Sequence, residues 1–195
     1  AALPSWLSIS SSTGVLSGTP TNANVGTHSV VLTATDSSGA VDTQSFKITV
    51  ANVNDTWTVT STAITAWTED SAYSYTFQAN DVDSGDSVTY TAPTLPSWLS
   101  FNATTGVLSG TPTNAIVGNH SVVLKATDSN GAVSTQSFTL TVNNVNDAPT
   151  VTSSSVTSST EDSAYSYKFA ASAVDSGDTI NHAATTPPPS PRSNP

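Results

Sequence analysis

A chain of 195 residues has room for one or two domains, and without cysteine or methionine it excludes disulfide stapling, thiol catalysis and Cys-ligated zinc or iron–sulfur centres. Fourteen acidic residues against four basic ones give a formal net charge of −10, so the clustered Lys and Arg needed to bind nucleic acid or an anionic membrane surface are missing. No apolar run approaches the ~20 residues of a membrane span, and the charge balance points to a neutral or cationic partner, above all a hard divalent metal.

Read in order, the chain repeats itself with a period of 92 residues. LPSWLS at 3–8 returns at 95–100, TGVLSGTPTNA at 13–23 at 105–115, and HSVVL at 28–32 at 120–124. ATD at 34–36 returns at 126–128, NVND at 52–55 at 144–147, TEDSAYSY at 68–75 at 160–167, and VDSGD at 82–86 at 174–178. Near-identity over such lengths is the mark of tandem duplication. It divides the chain into residues 1–55, the C-terminal half of a truncated repeat; 56–147, a complete repeat; and 148–182, the N-terminal half of a truncated repeat. Residues 183–195 read as a disordered tail, since the run Pro187-Pro188-Pro189 does not suit a strand. Residue 1 already falls inside a repeat, so any export signal would lie upstream.

Within the complete repeat the first clear element is the alternation Tyr73, Tyr75, Phe77. Turns follow at 102–106 and 109–114. His120 to Ala126 then alternates through Val122 and Leu124, a turn occupies 128–132, and Ser137 to Val142 alternates through Phe138, Leu140 and Val142. A period of two marks half-buried antiparallel strands, and no stretch carries a helical stripe. About seven short strands in such a module predict an all-β fold, a tandem array of immunoglobulin-like antiparallel sandwiches. Trp6 and Trp98, in matching Pro-Ser-Trp contexts, read as core plugs. His28 and His120, also repeat-matched, read as structural or surface residues.

The acids are not scattered. All but Asp42 lie in repeated motifs, mostly in loops, while exposed strand positions carry Ser and Thr. In a sandwich the loops gather at its two ends. If the loops at 80–86 and 127–131 face NVND 52–55, then Asn54, Asp55, Asp81, Asp83 and Asp128 converge. Ca²⁺ takes six to eight oxygen ligands, whereas Mg²⁺ prefers to keep several waters, so five such side chains with carbonyls and water make a calcium site. Without a cation the same carboxylates repel one another.

These residues resemble those of bacterial cadherin-like repeats, in particular the dystroglycan-type cadherin-like domains. LPSWLSFNATTGVLSGTP is similar to the hallmark of the related "putative Ig" repeats of bacterial surface proteins. The resemblance covers nearly all of 1–182. It implies that Glu69 is the early cadherin Glu, that Asp81 and Asp83 form the DxD pair, that Asp128 is the ATD-loop ligand, and that NVNDAP at 144–149 is the inter-repeat linker. Where cadherins carry D-R-E, this chain has SGTPT at 109–113. The set Asn54, Asp55, Asp81, Asp83, Asp128 is therefore expected to be the better site. A second set, Glu69, Asn146, Asp147 and Asp175, is expected to bind weakly, because Ala173 replaces the counterpart of Asp81.

The expected function is a non-enzymatic, calcium-stiffened spacer or adhesion segment of a bacterial surface or secreted protein, extracellular or at the cell surface. Its partners would be calcium, neighbouring repeats and another cell surface. The alternative is a carbohydrate-binding module, with the non-repeated Trp57 and Trp67 as platforms for a polysaccharide. Neither a G-x-S-x-G elbow nor a phosphate-cradling G-x-x-x-x-G-K is present.

Overall fold

Strand after strand in the structure is built on the alternation read above. This computed structural model describes residues 3–83 and 85–185; residues 186–195, most of the segment expected to be a disordered tail, lie outside them. In chain order the strands are β1 (Leu7–Ile9), β2 (Leu16–Gly18), β3 (Gly26–Thr35), β4 (Val41–Val50), β5 (Thr58–Val59), β6 (Ala66–Thr68), β7 (Tyr73–Thr76), β8 (Ala79–Asn80), β9 (Val88–Thr94), β10 (Ser100–Asn102), β11 (Val107–Gly110), β12 (Gly118–Asp128), β13 (Val133–Asn143), β14 (Thr150–Val151) and β15 (Ala171–Ser172). Single turns of 3₁₀ helix at Asn22–Asn24 and Asn114–Ile116 are the helical elements among the described residues.

The nine strands β5–β13 make a sandwich. One sheet has the order β10-β11-β7 and the other β6-β13-β12-β9, while β5 pairs with β8. β6 joins β13 in parallel and the other pairs are antiparallel. Taken as one interrupted edge strand, β5 and β6 serve both layers, and β7 with β8 form a second interrupted strand. Seven strands result, as the turn spacing predicts. Their inner faces carry Tyr73, Tyr75, Phe77, Leu108, Val122, Leu124, Ala126 and Leu140, all in the buried core. Fully burying an aliphatic or phenyl side chain contributes roughly 1.5–3 kcal/mol, and this face supplies most of the module's stability. Edge-to-face pairs tighten it, with ring centroids 5.3 Å apart for Phe77 and Tyr90 and 5.6 Å for Trp67 and Tyr73. The buried hydroxyls are satisfied: Tyr73 donates to the Ile64 carbonyl (3.1 Å) and Tyr75 to Gln136 Oε1 (2.6 Å). Burial, reinforced by Tyr75, pushes the Tyr73 phenol up to about 12.

The repeated Trp motif and the repeated SGTP motif explain each other. A Cβ on Gly110 would lie 2.3 Å from the Trp98 carbonyl oxygen, and one on Gly18 would lie 1.8 Å from that of Trp6. Only glycine lets the strand pass so close. Gly110→Ala is therefore expected to destabilise the module by about 1–3 kcal/mol, read as a lower urea midpoint; an unchanged midpoint would contradict this contact. Trp98 and His120 meet edge-on at 6.0 Å, and His120 Nε2 lies 2.5 Å from the Ile116 carbonyl oxygen. Trp6 and His28 repeat the arrangement at 5.7 Å. Both histidines are structural, as read from their repetition.

The flanking segments hold fewer strands. β1 pairs with β2 over three residues each, β3 pairs with β4 over ten, and β14 pairs with β15. Each of β2, β3, β4, β14 and β15 lies 92 residues from a strand of the sandwich.

Candidate metal centre

The segment 51–57, between β4 and β5, meets two loops of the sandwich, one between β8 and β9 and the other between β12 and β13. Asn54 Nδ2 donates to Asp128 Oδ2 at 2.8 Å, and the Asp55 backbone N–H donates to Asp83 Oδ2 at 2.6 Å. Asn130 Nδ2 donates to Asn54 Oδ1 at 2.5 Å and reaches Asp86 Oδ2 at 3.4 Å. One carboxylate oxygen from each of Asp81, Asp86 and Asp128 lies within 4.8 Å of the other two. Asp83 and Asp128 are 8 % and 6 % exposed. Asp81 Oδ2 and Asp83 Oδ1 are buried with no hydrogen-bond partner.

Local turn chemistry aims these groups. Asp128 Oδ1 accepts the N–H groups of Asn130 (2.8 Å) and Ala132 (2.9 Å), closing a turn that Gly131 completes at φ +95°. Asp81 Oδ1 accepts the Asp83 N–H at 2.9 Å. Each aspartate thus spends one oxygen on backbone and leaves the other for the cluster. Asp86 has its carboxyl raised above the usual range by desolvation, then by the charges of Asp81, Asp83 and Asp128. Asp128 is lowered, first by the Asn54 amide and then, against desolvation, by the N–H groups of Ala132, Asn130 and Gly131. The two act oppositely on metal-free stability. Ionised Asp86 destabilises the fold, and this is relieved as pH falls through its raised pKa. Ionised Asp128 stabilises it above its unfolded pKa, and this is lost as pH falls through the depressed one.

The junction at 144–147 repeats part of this geometry. The Asp147 N–H donates to Asp175 Oδ2 at 2.6 Å, and Asp175 is buried. Glu69 is 1 % exposed; its Oε1 accepts the Val145 N–H at 2.8 Å, and its Oε2 is buried without a partner. With its amide turned to donate, Asn144 bridges Glu69 Oε1 (3.1 Å) and Asp175 Oδ1 (3.2 Å). Glu69 is held at the end of β6, where its N–H donates to the Asn143 carbonyl (3.1 Å). Asp70 then turns at φ +58°, donating to the Pro112 carbonyl (2.8 Å).

Asn54, Asp81, Asp83 and Asp128 come together as the sequence predicts. Asp55 joins through its backbone N–H, while its carboxylate accepts from Asn22 Nδ2 at 2.5 Å. Asn114 holds Asp147 identically at 2.5 Å. Asn146 is exposed, and its amide faces the Asp147 carbonyl at 3.3 Å. Sequence reasoning missed Asp86, Asn130, Asn144, Asn22 and Asn114. Asp86 closes the D-x-D-x-G-D stretch, and Asn22 and Asn114 are the Asn of the repeated TPTNA, so those signals were present. Trp57 and Trp67, the expected sugar platforms, are half-buried and packed against the core. Trp67 sets its ring edge-on to Tyr73, and its indole N–H donates to the Ser71 carbonyl at 3.1 Å. Their failure to repeat made them look like surface residues, yet each fills the edge of the sandwich.

Residues 1–51 and 56–143 match the family described as "Putative Ig domain". The serine-rich adhesin for platelets of Staphylococcus aureus (strain USA300) is 35% identical over 123 residues, 62% of this chain and 5% of the adhesin, and the same protein of strain NCTC 8325 matches equally. The chain thus spans a small fraction of these relatives' length. Among solved structures, protocadherin gammaB7 EC3-6 is similar at TM-score 0.55 and 20% identity, covering 88% of this chain and 50% of that one. The protocadherin gammaB4 extracellular domain is similar at TM-score 0.53 and 23% identity, covering 89% and 34%. The protocadherin likeness establishes the cadherin-like sandwich fold, and the adhesin and family matches give an extracellular or cell-surface location. Among the described residues no helix is long and apolar enough to cross a membrane. The chain belongs to the "Putative Ig domain" family, as cadherin-like, all-β repeats of a surface protein.

Proposed function

We propose that the chain is a non-enzymatic, calcium-binding spacer segment of a surface adhesin, stiffened where its linkers meet the next sandwich. The observation that carries this reading is the pair of buried, unpartnered carboxylate oxygens, Asp81 Oδ2 and Asp83 Oδ1, beside the Asp81–Asp86–Asp128 cluster. A buried carboxylate oxygen left without a donor is costly unless something pairs it. All candidate donors are oxygens, so the set fits Ca²⁺ rather than a thiolate- or imidazole-seeking metal. Asn54 from the linker, with Asp81, Asp83, Asp86 and Asp128 from the two loops, would hold it. A bound dication supplies charge neutralisation that these groups cannot give one another. Asp55 and Asn22 play a different part, tying the linker to the preceding segment.

The second junction ranks higher than its sequence implies. Ala173 costs it one carboxylate, but Glu69 contributes a buried free oxygen beside Asn144 and Asp175. Glu69, Asn144 and Asp175 are the groups that would hold a second, weaker Ca²⁺, while Asp147, like Asp55, spends its carboxylate on the preceding segment's asparagine.

Binding that requires an aligned linker stabilises the aligned state by linkage. Chelation is accordingly expected to broaden the distribution of molecular dimensions seen by small-angle scattering, while circular dichroism stays that of a folded β protein. Identical scattering with calcium and with chelator would remove the stiffening role.

A further inference from the structure

We propose that Asn130 is a site of spontaneous covalent modification, a deamidation that exchanges the amide holding the linker for a carboxylate facing the acidic cluster. Asn130 is the only asparagine in the chain that is followed by glycine. Both Asn130 and Gly131 are exposed in the turn between β12 and β13. Gly131 has φ +95°, and nothing lies within 4 Å of where a Cβ would stand on it. No side chain therefore shields its backbone nitrogen. That nitrogen holds its proton in one long hydrogen bond, to the Asp128 carbonyl at 3.2 Å. Asn102 and Asn119 are exposed too, but Ala103 and His120 follow them. The equivalent turn at Asp36 has the same backbone bonds, with Ser38 in the place of Asn130, and a hydroxyl cannot undergo this reaction.

Asparagine is among the thermolabile residues, and the step needs only water. The Gly131 nitrogen, giving its proton to solvent, attacks Asn130 Cγ. The new C–N bond closes a succinimide as the Cγ–Nδ2 bond breaks, and the amide nitrogen leaves as ammonia. Water attacking Cγ then opens the ring to aspartate; attack on the main-chain carbonyl gives isoaspartate, with the backbone routed through Cγ. The consequence is particular to this site. Asn130 Nδ2 donates to Asn54 Oδ1 of the linker at 2.5 Å and reaches Asp86 Oδ2 at 3.4 Å. A carboxylate in its place has no donor for Asn54 and sets a like charge beside Asp86. With a dication in the cluster the same oxygens become additional ligands. Modification thus loosens the metal-free linker and strengthens cation binding. This second part rests on the calcium reading, whereas the modification itself does not.

Peptide mass spectrometry of the folded chain, incubated in mildly alkaline buffer, reads the reaction directly. Asn130 is expected to convert several-fold faster than Asn102 and Asn119 in the same sample, with isoaspartate among its products and none of the conversion in Asn130→Gln. Conversion of Asn130 no faster than of those two overturns the modification. Asn130→Asp, which is the aspartate product, is compared with wild type by thermal unfolding. It is expected to have the lower midpoint in chelator and the larger rise on adding calcium. A calcium rise in wild type that Asn130→Asp does not exceed overturns the effect on the cation. No calcium rise in either protein overturns the calcium reading and that effect with it, while the rate comparison still decides the modification.

Discussion

Calcium is expected to raise the unfolding midpoint of the wild-type chain, and Asp83→Asn is expected to remove most of that rise. Binding at a hundredfold excess over Kd stabilises by about 2.7 kcal/mol, and a domain of 60–100 residues gains about 4–8 °C per kcal/mol. The expected rise is therefore roughly 10–20 °C at saturating calcium. Asp83 is the sharpest position because it is buried, accepts the Asp55 N–H through one oxygen, and leaves the other buried and unpaired. Asparagine in its place keeps the shape and removes the charge. Asp86→Asn gives the complementary signature. Its carboxyl is raised by desolvation and by three neighbouring carboxylates, so without calcium its neutralisation leaves the midpoint unchanged or higher. In calcium the same variant gains less than wild type. Lowering the pH is expected to act in the same direction, because the raised Asp86 carboxyl takes up a proton as the pH falls and protons would compete with a cation for it. Scanning calorimetry of the three proteins in calcium and in chelator reads all of this. Equal calcium shifts in wild type and Asp83→Asn would place any bound ion elsewhere.

Phe77→Ala is expected to unfold the central sandwich at markedly lower denaturant, while Phe169→Ala is expected to leave it nearly untouched. The residues are counterparts at the 92-residue offset, yet Phe77 is 0 % exposed in the core and Phe169 is 42 % exposed. A buried Phe→Ala change costs about 3–5 kcal/mol in transfer and cavity terms, whereas a surface change stays within about 0.5 kcal/mol. Urea unfolding of the two variants compares them. Similar losses in both variants would mean that residues 148–185 form a packed core that the structure does not show.

Much of the fold is legible in the residues because its signals are local. The alternations at Tyr73–Phe77 and Val122–Ala126 set strand faces by a period of two, and the structure buries the residues they select. Repetition adds a second local signal: two copies of LPSWLS and LSGTP sit at matched distances, and the carbonyl–glycine contact recurs in both. The acidic loops were legible for a related reason. Asp and Gly at fixed spacing dictate turns, and turns in a sandwich collect at its ends.

What resisted reading is what depends on which segments meet. Trp57 and Trp67 look like unmatched surface aromatics, but only packing shows that each closes an edge of the core. Asp86 and Asp83 share one loop, and nothing in their spacing says that Asp86 approaches Asp81 and Asp128 while Asp83 turns an oxygen to the Asp55 N–H. Glu69 lies 75 residues from Asn144, so its burial beside that linker depends on β6 pairing with β13.

The sequence by itself determined the all-β class, the 92-residue period and the placing of acidic motifs in turns and linkers, because turn chemistry, alternation and repetition act over a few residues at a time. Only the tertiary structure decided which carboxylates share a cluster and which of their oxygens are left without a donor. It also decided that Glu69 and Tyr73 of the first TEDSAYSY are buried while Glu161 and Tyr165 of the second are exposed. Burial is a property of the partner strand, and the partner lies tens of residues away along the chain.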